Sequence, residues 1–283
     1  MNLGEWIAQR AFGTAAPLMG RIKPETLSNY VSAIRSRHVD LGHSIAAFED
    51  HTIKRALAGA MSLFPSTKKT KLPITKDILD KIVTSGPCKA DANVDAAFTM
   101  AFAGFLRIGE ITYPNRKAKD FSTTRALRND IRIAPDGHSM VFHLKRSKTD
   151  KTHSGVDIQI AAVPGDRLCP VAAMIRLFNR DPRPLSDPLF SVNDKAFSAP
   201  VVRKILSTRL AAGGILPDGY SNHSFRRGAA QHAHNCGFAE SQTAQLGRWT
   251  SDAVKLYYNT SETERLQLNS NFQRSMPILA REA

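Results

Sequence analysis

Apolar residues recur at helical spacing along almost the whole chain, and only residues 130–160 follow the two-residue period of β-strands. Within that stretch, residues 130–134, 140–144 and 156–160 alternate apolar and polar side chains, and a Pro-Asp-Gly turn separates the first two segments. The pattern predicts a mainly α-helical protein with a small antiparallel β-sheet. We expect the last hundred residues to be helical with short turns.

The chain of 283 residues is long enough for about two domains. Residues 1–65 contain helical apolar stripes made of Ile7, Ala11 and Phe12 and of Leu27, Tyr30, Val31 and Ile34. Residues 66–73 are polar and basic, with prolines on either side, which is typical of a linker. We therefore predict a bundle of three or four helices at 1–65, a linker at 66–73 and a larger domain at 74–283.

Lys and Arg outnumber Asp and Glu by 39 to 25, which gives a formal net charge of +14. Such an excess favours a polyanionic partner, and nucleic acid is the first candidate. We expect no membrane partner, because the sequence has no basic amphipathic membrane helix and no apolar run of about 18 residues.

The three cysteines, Cys88, Cys169 and Cys236, are far apart and form neither a disulfide framework nor a zinc-binding pattern. The first twenty residues show no secretory signal, because Glu5 and Arg10 interrupt a helix-like stretch. We expect an intracellular protein, located in the nucleus of a eukaryotic host or otherwise in the cytoplasm or nucleoid.

Two arginines stand near potential partners three residues away. Arg107 follows a strongly apolar helical segment and precedes Glu110, which can orient its guanidinium. His223 and Arg226 share one face at the predicted start of a helix, where an anion is favoured. Taken alone, each pair is also compatible with an ordinary surface ion pair or helix start.

Further candidates come from a basic loop and from aromatic residues. The loop between the second and third predicted strands contains Lys148, which could protonate a leaving alkoxide, although a solvated hairpin tip is an alternative. Trp249 follows a predicted helix end and is otherwise a packing residue. Tyr257 and Tyr258 are adjacent, so only one of them can face a given site on a helix.

Together these residue types suit phosphoryl transfer. Two arginines can hold the non-bridging oxygens of one phosphate, and fixed donors there stabilise the charge that develops during attack. A tyrosine can act as the nucleophile and carry a covalent intermediate. The sequence contains no acidic cluster of the two-metal kind, so we expect neither a metal nor a cofactor.

The C-terminal two thirds of the chain resembles the tyrosine recombinase (phage integrase) family. The order of that family is Arg with Glu or Asp, a hairpin Lys, His-x-x-Arg, His or Trp, and then Tyr. The matching residues here are Arg107, Glu110, Lys148, His223, Arg226, Trp249 and Tyr258. Tyr258 has the family spacing of nine residues after Trp249, whereas Tyr257 is one residue short.

The resemblance implies a helical core-binding domain at 1–65 and a catalytic domain at 74–283, which enclose double-stranded DNA. It implies that Tyr258 forms a 3′-phosphotyrosine and frees a 5′-hydroxyl, and that four protomers act on two DNA sites. The two arginines would hold the scissile phosphate, Glu110 would support Arg107, and Lys148 would be the general acid. His223 and Trp249 would assist at the phosphoryl oxygens.

Two other lysines, Lys145 and Lys151, are alternatives to Lys148 as the general acid. Further DNA contacts are expected from Lys145, Lys151, Arg227, Arg248, Lys68 and Lys69.

The N-terminal part, including residues 30–40, 47–50 and 72–75, looks more like the eukaryotic mobile-element branch (Crypton and DIRS-type elements) than bacterial integrases. The residues after Tyr258 could pack in cis or dock on a neighbouring protomer. Three other functions stay open at this point: a type IB topoisomerase, a catalytically inactive domesticated DNA-binding protein, and an RNA-binding helical protein.

Overall fold

The structure is a computed structural model that describes residues 2–13, 22–64, 71–114, 124–147, 150 and 154–249. The chain divides into two compact units, Met1–Lys69 and Thr70–Ala283. The predicted fold class, mainly α-helical with a small antiparallel sheet, is confirmed. None of the helices described is both long enough and apolar enough to cross a membrane.

Four described helices form the first unit: α1 (Leu3–Phe12), α2 (Pro24–Asp40), α3 (Ala46–Glu49) and α4 (His51–Leu63). Pro24 occupies the first position of α2, where its missing N–H costs nothing. Asp50 caps α4 by accepting a hydrogen bond from the Thr52 N–H at 2.6 Å. The core of this unit consists of Ile7, Ala11, Leu27, Val31, Phe48, Ile53 and Ala60.

The predicted apolar stripes are correct in part. Leu27 and Val31 are buried, but Phe12, Tyr30 and Ile34 are 56%, 48% and 37% exposed. A helix that packs on one side buries a narrow line of residues, and Tyr30 and Ile34 lie beside that line on α2. The apolar stripes of the sequence therefore extend beyond the buried core of this unit.

The second unit combines six described helices with two small sheets. The helices are α5 (Lys76–Ile82), α6 (Lys89–Ala103), α7 (Pro170–Arg180), α8 (Ala199–Ala212), α9 (Ser224–Asn235) and α10 (Glu240–Gly247). Two 3₁₀ turns lie at Ile108–Glu110 and Arg128–Asp130. Residues 92–101 of α6 are all buried, so this helix is the central element of the unit.

The main sheet has three antiparallel strands in the order β1-β2-β3, namely Ile131–Ile133, Ser139–Leu144 and Val156–Ala161. Phe142 lies opposite Ile131 on one side and Ile158 on the other. These side chains are buried, as the alternating pattern predicts for a sheet with one face on the core.

A second hairpin, β4 (Ser191–Val192) and β5 (Lys195–Ala196), corrects the expectation that the last hundred residues are helical with short turns. Strands of two residues are too short to show a period. The turn residues Asn193 and Asp194 have φ values of 51° and 58°, which matches the left-handed turn of a tight hairpin.

The start of α9 packs directly against the segment before α5. The Ile74 N–H donates to the Ser224 carbonyl at 2.9 Å. A Cβ atom at Gly228 would lie 1.7 Å from the Ile74 carbonyl oxygen, so only glycine permits this approach. The contact fixes the first turn of α9, which carries Arg226.

We expect Gly228→Ala to destabilise the second unit by about 1–3 kcal/mol, because backbone atoms must move to admit the methyl group. Gly59→Ala in α4 is the matched control: its Cβ meets nothing within 4 Å, and alanine should stabilise this helix by about 0.5–1 kcal/mol. Urea unfolding followed by tryptophan fluorescence checks both. The measurements use two backgrounds, each of which keeps one of the two tryptophans. Fluorescence of Trp6 reports on unfolding of the first unit, and fluorescence of Trp249 reports on unfolding of the second. Equal stabilities of Gly228→Ala and the parent protein would contradict the packing described.

Candidate active site

The guanidinium of Arg226 is fully buried at the start of α9. One terminal nitrogen donates to the Phe105 carbonyl at 2.6 Å, and the other donates to the Gly247 carbonyl. The guanidinium carbon lies 4.2 Å from the centre of the Trp249 ring, within the range of a cation–π contact. A buried guanidinium is tolerated only with such partners, so Arg226 joins three distant segments of the chain.

The Phe105 carbonyl is presented by an unusual turn after α6. Phe105 has a φ of 50°, a left-handed conformation that is uncommon for a bulky residue. Its ring packs edge-on against Trp249, with ring centres 6.1 Å apart. Arg248 donates to the Gly104 carbonyl at 2.9 Å and to the Phe105 carbonyl at 3.4 Å. Two arginines therefore converge on one short turn.

Arg107 follows this turn and is held by Glu110. The Glu110 carboxylate accepts the Arg107 backbone N–H at 2.9 Å and its side-chain Nη1 at 3.0 Å. The Glu110 side chain is 5% exposed, whereas Arg107 is 21% exposed. The predicted pairing is present, and Arg107 is the more exposed member of the pair.

Arg248 has several partners inside the protein. It caps α10 in a left-handed conformation, is 18% exposed, and places Nη2 3.5 Å from Glu110. Burial lowers the pKa of the Arg248 guanidinium, the nearby Glu110 carboxylate raises it, and Arg107 lowers it further, for a net lowering. This geometry favours an internal positioning role for Arg248 over the predicted DNA contact.

The remaining described candidates lie in different surroundings. His223 is exposed and immediately precedes α9, and Arg227 is half-buried in its first turn. Lys145 is 17% exposed and forms an ion pair with Asp130 at 2.8 Å, so its ammonium is engaged inside the protein. The other candidates, Lys148, Lys151, Tyr258, Tyr257, Lys68 and Lys69, lie outside the described residues. Their roles stay predictions.

A cavity of about 340 Å³ opens beside Arg107. We call it the arginine cavity; its lining residues are Arg107, Gly109, Glu110, Thr124, Arg125, Arg146 and Ser147. The sequence pattern does not single out Arg125, which reaches the cavity only through the fold. Arg146 carries one signal, its place in the basic loop that also contains Lys148. Among the described residues, no group of three His, Cys, Asp or Glu side chains is arranged to hold a metal ion.

No protein-family model and no curated protein matches the sequence. Solved structures do match. The XerH site-specific recombinase bound to its palindromic difH substrate, in a post-cleavage complex, has a TM-score of 0.55 at 12% identity, over 95% of this chain and 76% of that chain. The chain has the fold of the tyrosine recombinases.

Two further tyrosine recombinase structures support this assignment of the fold. The integrase of transposon Tn1549 in complex with circular intermediate DNA has a TM-score of 0.53 at 14% identity, over 94% of this chain and 83% of that chain. A lambda integrase dimer bound to a COC′ core site has a TM-score of 0.51 at 17% identity, over 100% of this chain and 81% of that chain. The resemblance stated from the sequence is therefore confirmed at the level of the fold, and the mobile-element branch stays a prediction.

Within this tyrosine recombinase fold, we expect Arg248→Ala to destabilise the second unit by about 2 kcal/mol, because Glu110 and two backbone carbonyls lose a charged donor. The same variant should leave the salt dependence of DNA binding unchanged, since Arg248 faces inward. Arg203→Ala, which removes an exposed arginine from α8, should leave the unfolding free energy unchanged. Urea unfolding and a salt titration of DNA affinity measure the two effects. A stable Arg248→Ala variant with weaker salt dependence would instead make Arg248 a phosphate contact.

Proposed function

We propose that the protein is a site-specific DNA recombinase that cuts and rejoins DNA through a phosphotyrosine intermediate. The observation that carries the proposal is the junction at Gly104–Phe105, where the Arg107–Glu110 pair and the Arg226–Trp249 pair meet within a recombinase fold. Two guanidinium groups held close to one turn, one of them accessible, suit a phosphate bound between them.

In the proposed reaction, Tyr258 loses its hydroxyl proton to water, and its oxygen attacks a DNA phosphorus and forms a tyrosine–phosphate bond. The bond from phosphorus to the 5′ oxygen breaks, and Lys148 donates a proton to that oxygen. Arg107 stabilises the developing negative charge directly. Arg226 binds the same phosphate by giving up one of its hydrogen bonds to a backbone carbonyl and donating to a phosphoryl oxygen instead. His223 and Trp249 assist at the phosphoryl oxygens.

The second half of the reaction reverses the first. The 5′-hydroxyl of another strand attacks the phosphotyrosine, reforms a phosphodiester and releases Tyr258. Bond energy is conserved in the covalent intermediate, so the proposed reaction needs no nucleotide hydrolysis. This exchange is the step that separates a recombinase from an enzyme that reseals the same strand.

We also propose that the first unit is a core-binding domain, that four protomers assemble on two double-stranded DNA sites, and that the protein belongs to a mobile element. The net charge of +14 supports a DNA partner. The similar structures of XerH, Tn1549 integrase and lambda integrase contain DNA, and one of them is the integrase of a transposon.

A nicked duplex that traps the covalent intermediate provides the test. We expect the protein, without added metal, to form a covalent complex with duplexes that carry candidate recombination sites, visible as a shifted band on a denaturing gel. Tyr258→Phe should abolish the band, because phenylalanine has no nucleophilic oxygen. Arg107→Ala should slow its formation by about 100-fold or more, the loss typical of removing one donor to a developing oxyanion.

Tyr257→Phe is the matched control and should retain the band. Loss of the band with Tyr257→Phe alone would assign the nucleophile to Tyr257. A covalent band with supercoil relaxation on any plasmid, but no strand exchange, would indicate a topoisomerase. Salt-sensitive DNA binding with no covalent band on any duplex would contradict the proposed reaction and favour an inactive DNA-binding protein.

A further inference from the structure

We propose that the arginine cavity binds a DNA backbone phosphate next to the one that is cut, through Arg125 and Arg146. The identity of the ligand as DNA rests on the proposed function. Neither arginine belongs to the residues that match the recombinase order.

Three separate segments converge on the cavity. Arg107 and Glu110 come from the turn after α6, Arg125 precedes the second 3₁₀ turn, and Arg146 follows β2. At about 340 Å³ the cavity lies near the lower end of the range for ligand pockets, about 300–1,000 Å³. It therefore has room for a phosphate with part of its sugar.

The lining of the cavity carries more positive than negative charge. The described lining residues include three arginines and one carboxylate, that of Glu110. This carboxylate already accepts hydrogen bonds from Arg107 and lies within 3.5 Å of Arg248, outside the cavity lining. Glu110 therefore cannot neutralise Arg125 or Arg146 as well, and the cavity is suited to an anion.

Arg146 differs from the cations around it. Lys145 is paired with Asp130, and Arg132 on β1 is paired with Asp157 at 2.8 Å. Arg146 is exposed, and no hydrogen bond or ion pair joins it to another residue in the described part of the chain. Arg125 donates one nitrogen to the Thr112 carbonyl at 3.3 Å, which anchors its side chain at the cavity wall.

The cavity wall includes Arg107 but not His223, Arg226 or Trp249. In the proposed reaction the scissile phosphate lies between Arg107 and Arg226. Successive phosphates of one strand follow at about 3.4 Å along the helix axis, so a phosphate held by Arg125 and Arg146 is a neighbour of the scissile one. Arg107 then lies between the two phosphates.

Salt dependence of binding tests the site without any need for cleavage. The probe is a short duplex of fixed, arbitrary sequence, and the measured quantity is the slope of log affinity against log salt concentration. Arg146→Gln should lower the magnitude of this slope by about 0.9, the value for one lost phosphate contact. Arg132→Gln removes the same charge from β1, but Arg132 is already paired with Asp157, so the slope of this variant should equal that of the parent protein.

An unchanged slope for Arg146→Gln, or an equal loss for Arg132→Gln, would overturn the proposal. Arg125→Lys keeps the charge but loses the planar fork, so it should weaken affinity while the slope stays close to that of the parent. Thermal unfolding of each variant confirms that its fold is retained. These results are independent of the covalent band, so failure of the proposed reaction and failure of this site are distinguishable.

The rate of covalent complex formation at saturating DNA separates the neighbouring phosphate from the scissile one. We expect Arg146→Gln to retain this rate to within about threefold, because a contact made equally before and during the reaction affects binding alone. A fall of about 100-fold or more would place the scissile phosphate itself in the arginine cavity and would contradict its assignment to a neighbour.

Discussion

The burial of the Arg226 guanidinium is the constraint on which the candidate site depends. A charged group that is fully buried from solvent needs partners that stabilise its charge. For Arg226 these partners are two backbone carbonyls and an indole ring. The carbonyls belong to Phe105 and Gly247, which are far from Arg226 in the sequence. The requirement to satisfy one side chain therefore fixes the relative positions of the end of α6, the start of α9 and the end of α10.

Backbone conformation completes this arrangement. Phe105 and Arg248 both adopt left-handed φ values, of 50° and 56°, where most residues are disfavoured. At Gly247 a Cβ would lie 1.6 Å from the Trp249 ring, so glycine is needed beneath the indole. The strain and the close contacts are tolerated because the hydrogen bonds of Arg226 and the buried residues 92–101 of α6 hold the segments together.

Net charge alone does not show which arginines and lysines are available to bind an anion, because some of them are already paired with carboxylates. Several arginines and lysines of the second unit have carboxylate partners, as Arg209 has in Asp91 and Arg167 in Asp80. Such pairs contribute little to long-range attraction of an anion. The arginine cavity brings guanidinium groups together beside a carboxylate that is already shared, which suits it to a phosphate.

The sequence by itself determined the helical class, the three-stranded sheet and the pairing of Arg107 with Glu110, because these depend on local periodicity and on residues three positions apart. It did not indicate the β4–β5 hairpin, whose strands are too short to show a period, or the exposure of Tyr30 and Ile34. Only the tertiary structure decided that Arg248 turns inward and that Arg125 joins Arg107 at one cavity. Those outcomes depend on which distant backbone carbonyls and carboxylates come within hydrogen-bonding distance, and no local pattern encodes that distance.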